Sequence, residues 1–113
     1  MPLYRSKKRH SPTGERALFL EIWDERPHKS EISGETIYLT PGDDMWVNCF
    51  SHLLSKKLYP EFRLNKNNIL IKTPYEHDLY HTVARSDLEQ TEGWKKVFDK
   101  VDALKSMYRS LYG

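Results

Sequence analysis

Cysteine is nearly absent from this chain: Cys49 stands alone among 113 residues. No internal disulfide can form, and no thiolate zinc site can be built from this chain by itself. No apolar run approaches the roughly 18 residues that a membrane span needs. The basic N-terminus is not followed by the apolar stretch of a signal peptide. Internal repeats, low-complexity segments and a glycine-rich phosphate loop are missing too, and the last of these argues against a dinucleotide-type fold. Nor is there an excess of one charge, since 18 Lys and Arg face 16 Asp and Glu for a net charge of +2. Global charge alone therefore does not point to a nucleic-acid partner. These absences lead to the expectation of a soluble protein of a reducing compartment.

What is present suffices to fold. A hydrophobic fraction of 38% and an aromatic fraction of 12% supply one modest core, so a single domain is expected over residues 11–113. Before it, MPLYRSKKRH reads as a basic arm, with Arg5, Lys7, Lys8 and Arg9 unaccompanied by acid and able to pair with phosphates. Ser11-Pro12 or Thr13 can cap a helix running to about Arg26, because Leu18, Phe19, Ile22 and Trp23 recur at helical spacing and Pro27 stops it. Residues 27–45 are loop-rich, with a short strand expected at 36–39 between turn signals. Residues 46–54 form an apolar segment whose periodicity fits a strand or a buried helix equally. A strand follows at 68–72.

The clearest local signal is the next helix start. Thr73 can be the N-cap, Pro74 the first helical residue and Glu76 the partner that closes a capping box. From about Gly93 a long amphipathic helix carries Trp94, Val97, Phe98, Val101, Leu104, Tyr108 and Leu111 on one stripe. The fold class expected is α+β: a helix, a strand-rich middle, a short helix and a long one.

The short helix bears the chemistry. His77 and His81 stand four apart in TPYEHDLYH, so their imidazoles share a face and can converge on one ion. Imidazole suits zinc and other transition metals. Upstream, His52 lies among apolar residues in NCFSHLL, and Asn68 opens the strand leading to the capped helix.

With these residues in view, SHLLSKKLYPEFRLNKNNILIKTPYEHDLYH resembles the ββα-metal motif of HNH endonucleases, placed at about residues 46–84. The run N-I-x-x-x-T-P-x-x-H-x-x-x-H, from Asn68 to His81, is similar to colicin-type nucleases. F-S-H-L-L-S-K-x-x-Y-P is similar to small phage and bacterial HNH-like proteins. The resemblance implies a general base at His52, a loop-steadying role for Asn68, and one divalent ion on His77 and His81, with Mg, Mn, Ni and Zn all open. It implies hydrolysis of DNA phosphodiester bonds, a chemistry that needs an activated water and a cation beside the phosphate. Lys56, Lys57 and Arg63 would then face the nucleic-acid backbone together with Lys7, Lys8 and Arg9. The expected setting is the cytoplasm of a bacterium or a phage-infected host.

Two positions depart from the pattern. Ser51 stands where an Asp or His would complete the metal site, leaving the ion to water, substrate, a carboxylate such as Asp44 or Asp78, or His52 itself. Ser30 and Ser33 stand where a zinc knuckle would have its cysteines. Hence a second expectation: a catalytically degenerate HNH-like module that binds nucleic acid or a protein partner.

Overall fold

The computed structural model describes residues 14–113, so the basic arm, with Arg5, Lys7, Lys8 and Arg9, and the caps proposed at Ser11 and Thr13 lie outside the described residues. The first helix, α1, spans Glu15–Glu25. Its N-cap position is held by Gly14 rather than by a hydroxyl side chain, at φ 73°, a left-handed conformation that glycine adopts without penalty. Leu18, Phe19, Ile22 and Trp23 form its buried face, as their spacing predicts.

The apolar segment after the loops divides its character. Residues Trp46–Cys49 make one 3-10 turn, and Phe50–His52 form a strand, β1. β1 pairs antiparallel with β2, Ile69–Ile71, so that Phe50 faces Ile71 and His52 faces Ile69. Such a short two-stranded ribbon has little stability of its own and needs packing on its faces. Both faces receive it. Phe50, Ile69 and Ile71 join α1, Ile37, Trp46 and Cys49 in one core, where Phe19 stacks on Phe50 at 4.5 Å. Leu53 and Leu70 join a second core with Leu54, Phe62, Leu88, Trp94, Val97 and Phe98. Each such side chain contributes roughly 1.5–3 kcal/mol when fully buried.

The outer edge of β2 is covered from the loop after α1. Glu31 donates its amide to the Ile71 carbonyl and accepts the Ile71 amide on its carboxylate, while Arg26 reaches the carbonyls of Ile69 and Lys66. The loop itself closes as a knuckle: the Ser30 hydroxyl accepts the amides of Ile32 and Ser33 and donates to Glu76. Its backbone pairs through a single bridge, Lys29 to Thr36, so the strand expected at 36–39 does not form.

Helix α2, Pro74–Thr82, carries the predicted capping box, with Thr73 and Glu76 bonded in both directions. A short helix, α3, Arg85–Leu88, leads to α4, Glu92–Tyr112. The α4 stripe is buried from Trp94 to Leu104, but Leu111 is 62% exposed because α4 has run past the body of the molecule by then.

Gly93, in the first turn of α4, packs directly on the knuckle. A Cβ there would lie 2.1 Å from the Ile32 carbonyl oxygen, which is backbone and cannot step aside. Helix propensity alone would make Gly93→Ala stabilising by about 1 kcal/mol. The contact predicts the reverse, a loss of about 2 kcal/mol or more through overpacking, measurable by urea denaturation. A variant as stable as the parent would refute this packing.

Candidate functional site

Asn68 is fully buried at the turn that enters β2. Its Oδ1 accepts the Leu54 amide at 2.7 Å, and its Nδ2 donates to the carbonyls of Leu54 at 3.0 Å and Phe62 at 3.2 Å. The carboxamide thus binds both backbone groups of Leu54, as a strand residue would, and pulls the far side of the loop inward. Between those anchors lies the segment that carries Lys56 and Lys57, and Arg63 follows directly after the second.

His52 ends β1 at the mouth of that loop. Its Nε2 lies 2.9 Å from the Arg63 carbonyl. A carbonyl can only accept, so Nε2 carries the proton and Nδ1 keeps the lone pair. Burial holds the imidazole below its ordinary pKa; the Arg63 carbonyl and Glu15 pull the other way, and Lys56 and Arg63 add to the lowering. A neutral ring with a fixed tautomer has the form a general base requires.

Around His52 the basic residues are already engaged. Glu15 Oε2 lies 3.1 Å from Lys56 Nζ, 3.8 Å from an Arg63 guanidinium nitrogen and 3.9 Å from His52 Nε2. Lys57 is exposed beside them.

Helix α2 brings His77 and His81 together, their ring centroids 4.5 Å apart and inclined at 69°. His77 is half-buried, and its Nδ1 is enclosed with no hydrogen-bond partner among the described residues. His81 is exposed. Burial lowers the His77 pKa, and the charges of Lys72 and His81 lower it further against the pull of Asp78. An imidazole kept neutral with an idle nitrogen suits a cation. Among the described residues, however, no three or more of His, Cys, Asp and Glu gather as a metal site, so neither Asp44, Asp78 nor His52 joins the pair.

The ribbon separates the two histidine groups. Side chains alternate along a strand. His52 falls on the α1 face, edge-on to Phe19 at 6.4 Å, and Ser51 on the other, where it lines a cavity with His77, Lys72, Glu76, Leu70 and Trp94. That cavity holds ≈ 10 Å³, too small for any substrate group.

Lys72 was legible only as one more basic residue, yet it is 2% exposed. Its ammonium donates to the Asn48 carbonyl. Alternation from buried Leu70 was the signal that could have placed it inside. Burial pushes its pKa down to about 8, partly offset by Cys49, Glu76 and Asp78. Glu15 gave no local signal, because its partners lie far along the chain. His28, in the loop after α1, stacks on Trp23 at 3.6 Å and donates to the Trp23 carbonyl. Cys49 is buried in the first core.

A scan of protein-family models, of curated proteins and of solved structures finds no match to this chain. Among the described residues no helix is long and apolar enough to cross a membrane.

The Lys72 amine gives the site a pH signature. Its folded value of about 8 lies below the ordinary 10.5, so between these limits the unfolded chain binds more protons. Stability therefore rises with pH across that window and is flat in this contribution below it. Between pH 8 and 10 the wild type should gain about 2 kcal/mol relative to Lys72→Met, compared by urea midpoints. Parallel curves for the two proteins would show that Lys72 is not held in this environment.

Proposed function

We propose that the chain is a metal-dependent endonuclease that hydrolyses phosphodiester bonds in DNA. In this reading residues 46–84 form a ββα-metal unit of the HNH type. The observation that carries it is the state of His52: a neutral imidazole whose Nε2–H is tied to the Arg63 carbonyl, on a loop that Asn68 closes. That arrangement leaves Nδ1 to take a proton from an attacking water. Lys56 and Arg63 stand beside it with charge suited to a phosphate backbone.

His77 and His81 would hold the ion, which when bound would supply Lewis-acid stabilisation of the phosphate and of the leaving oxygen. Two imidazoles, one with an idle buried nitrogen, fit such an ion with coordination positions left for water and substrate. The ribbon is about 7 Å long. This reading requires a nucleic-acid strand laid across the ribbon's end to meet His52 on one face and the histidine pair on the other.

A second reading, a degenerate module that binds nucleic acid or a protein without cutting, draws on Lys72. Its ammonium lines the same cavity as His77 and opposes a cation there, and Ser51 adds no strong ligand.

Nicking of supercoiled plasmid across Mg²⁺, Mn²⁺, Ni²⁺ and Zn²⁺ separates the two. The enzyme reading expects metal-dependent scission that EDTA abolishes. His52→Ala should reduce it by about 10²- to 10⁴-fold, the usual worth of a positioned base. DNA binding that weakens with salt, without scission in any metal from a folded sample, would replace this reading with the second.

A further inference from the structure

The groups that would greet a phosphate near His52 already hold an anion, and the chain supplies it. Glu15 enters from α1, whereas His52, Lys56 and Arg63 all come from β1 and the loop behind it. Its carboxylate is 18% exposed and sits within 4 Å of all three side chains. A loose surface pair would leave the acid in water, and such pairs contribute little. Here one oxygen lies within 4 Å of an ammonium and a guanidinium, the cations that a phosphate oxygen also selects, with the imidazole ring alongside.

The pattern continues along α1. Lys66, further along the same loop, contacts Glu21 at 2.6 Å and Glu25 at 2.8 Å, one helical turn apart. Helix α1 thus lays carboxylates against basic residues of the loop that Asn68 closes. The helix as a whole cannot leave, because Leu18, Phe19, Ile22 and Trp23 are buried beneath it. Glu15 is different. It is the first helical residue, it follows Gly14 at φ 73°, and among the described residues no side-chain cap hydrogen bond secures that turn. Its side chain can withdraw by rotating about its own bonds, with Leu18 and the core left packed.

We propose, resting on the nuclease reading above for the ligand's identity, that Lys56 and Arg63, beside His52, form a phosphate subsite and that Glu15 occupies it in the resting chain as an internal competitor. Binding of a phosphodiester exchanges one anion for another in the same cluster. The free protein thereby keeps its basic loop neutralised until a polyanion displaces the carboxylate.

Inorganic phosphate, titrated into the full chain at fixed ionic strength with chloride as the reference anion, tests this by calorimetry. Glu15→Gln should bind phosphate about tenfold tighter than wild type, since one competing charge has gone from a partly buried cluster. Lys56→Gln placed in the Glu15→Gln background should cancel the gain. Glu15 also complements the dipole of α1, so thermal melts accompany each variant. Glu15→Asp keeps that charge while shortening the reach, and should also bind phosphate more tightly than wild type. Equal affinity in wild type and both Glu15 variants, or a gain that survives Lys56→Gln, would overturn the proposal. The titration needs no turnover, so a failure to nick plasmid sinks the nuclease reading while leaving this result to stand or fall by itself.

Discussion

Three hydrogen bonds made by the buried carboxamide of Asn68 determine how the middle of this protein is arranged. They join Leu54, at the start of the long loop, to Phe62 near its end, and do so from the turn that enters β2. Without them, the Leu54 amide and two carbonyls would face a dry interior unpaired, at about 1–3 kcal/mol each. With them, Phe62 and Leu54 are fixed in the second core, the Arg63 carbonyl is set beside His52, and the basic side chains of the loop project from a held backbone. The tautomer of His52, the candidate base, is thus a consequence of an amide sixteen residues away.

Strand alternation then imposes a division. With β1 only three residues long, Ser51 and His52 must look to different sides, one toward α2 and α4 and the other toward α1. Each side holds a group suited to a ligand of one charge, and each comes with a resident charge of that same sign. On the α1 side, Lys56, Arg63 and His52 would attract a phosphate, and Glu15 is already there. On the α2 side, His77 and His81 would attract a cation, and Lys72 lines the cavity that His77 also lines. Glu15 spares its basic partners part of the desolvation penalty of unpaired groups, whereas buried Lys72 itself bears such a penalty. Both set the threshold that any incoming ligand must exceed.

How much of this the sequence discloses follows the range of the interactions. The α2 start is legible because its capping box is made by residues three apart, Thr73 and Glu76. The buried faces of α1 and α4 are legible because helical spacing repeats; the stripe misleads only at Leu111, where the periodic pattern outlasts the body that covers it. The ribbon is poorly legible. Three-residue strands show too little alternation to identify, and a 3-10 turn precedes each one. The expected strand at 36–39 gives way because the knuckle satisfies its backbone through Ser30 and a single bridge. Asn68 could be picked out by its position before an apolar run. What it bonds, and that Glu15 would reach Lys56 across 41 residues, belong to tertiary contacts that no local pattern encodes.

The central claim is that the closed loop holds His52 as a neutral ring protonated at Nε2, with Nδ1 ready to accept. Long-range ¹H–¹⁵N correlation of the His52 imidazole at neutral pH reads this directly. The account predicts a single Nε2–H tautomer in the wild type, giving way to averaging between tautomers in Asn68→Ala. A wild-type ring protonated at Nδ1, or one that already averages between both forms, would contradict it.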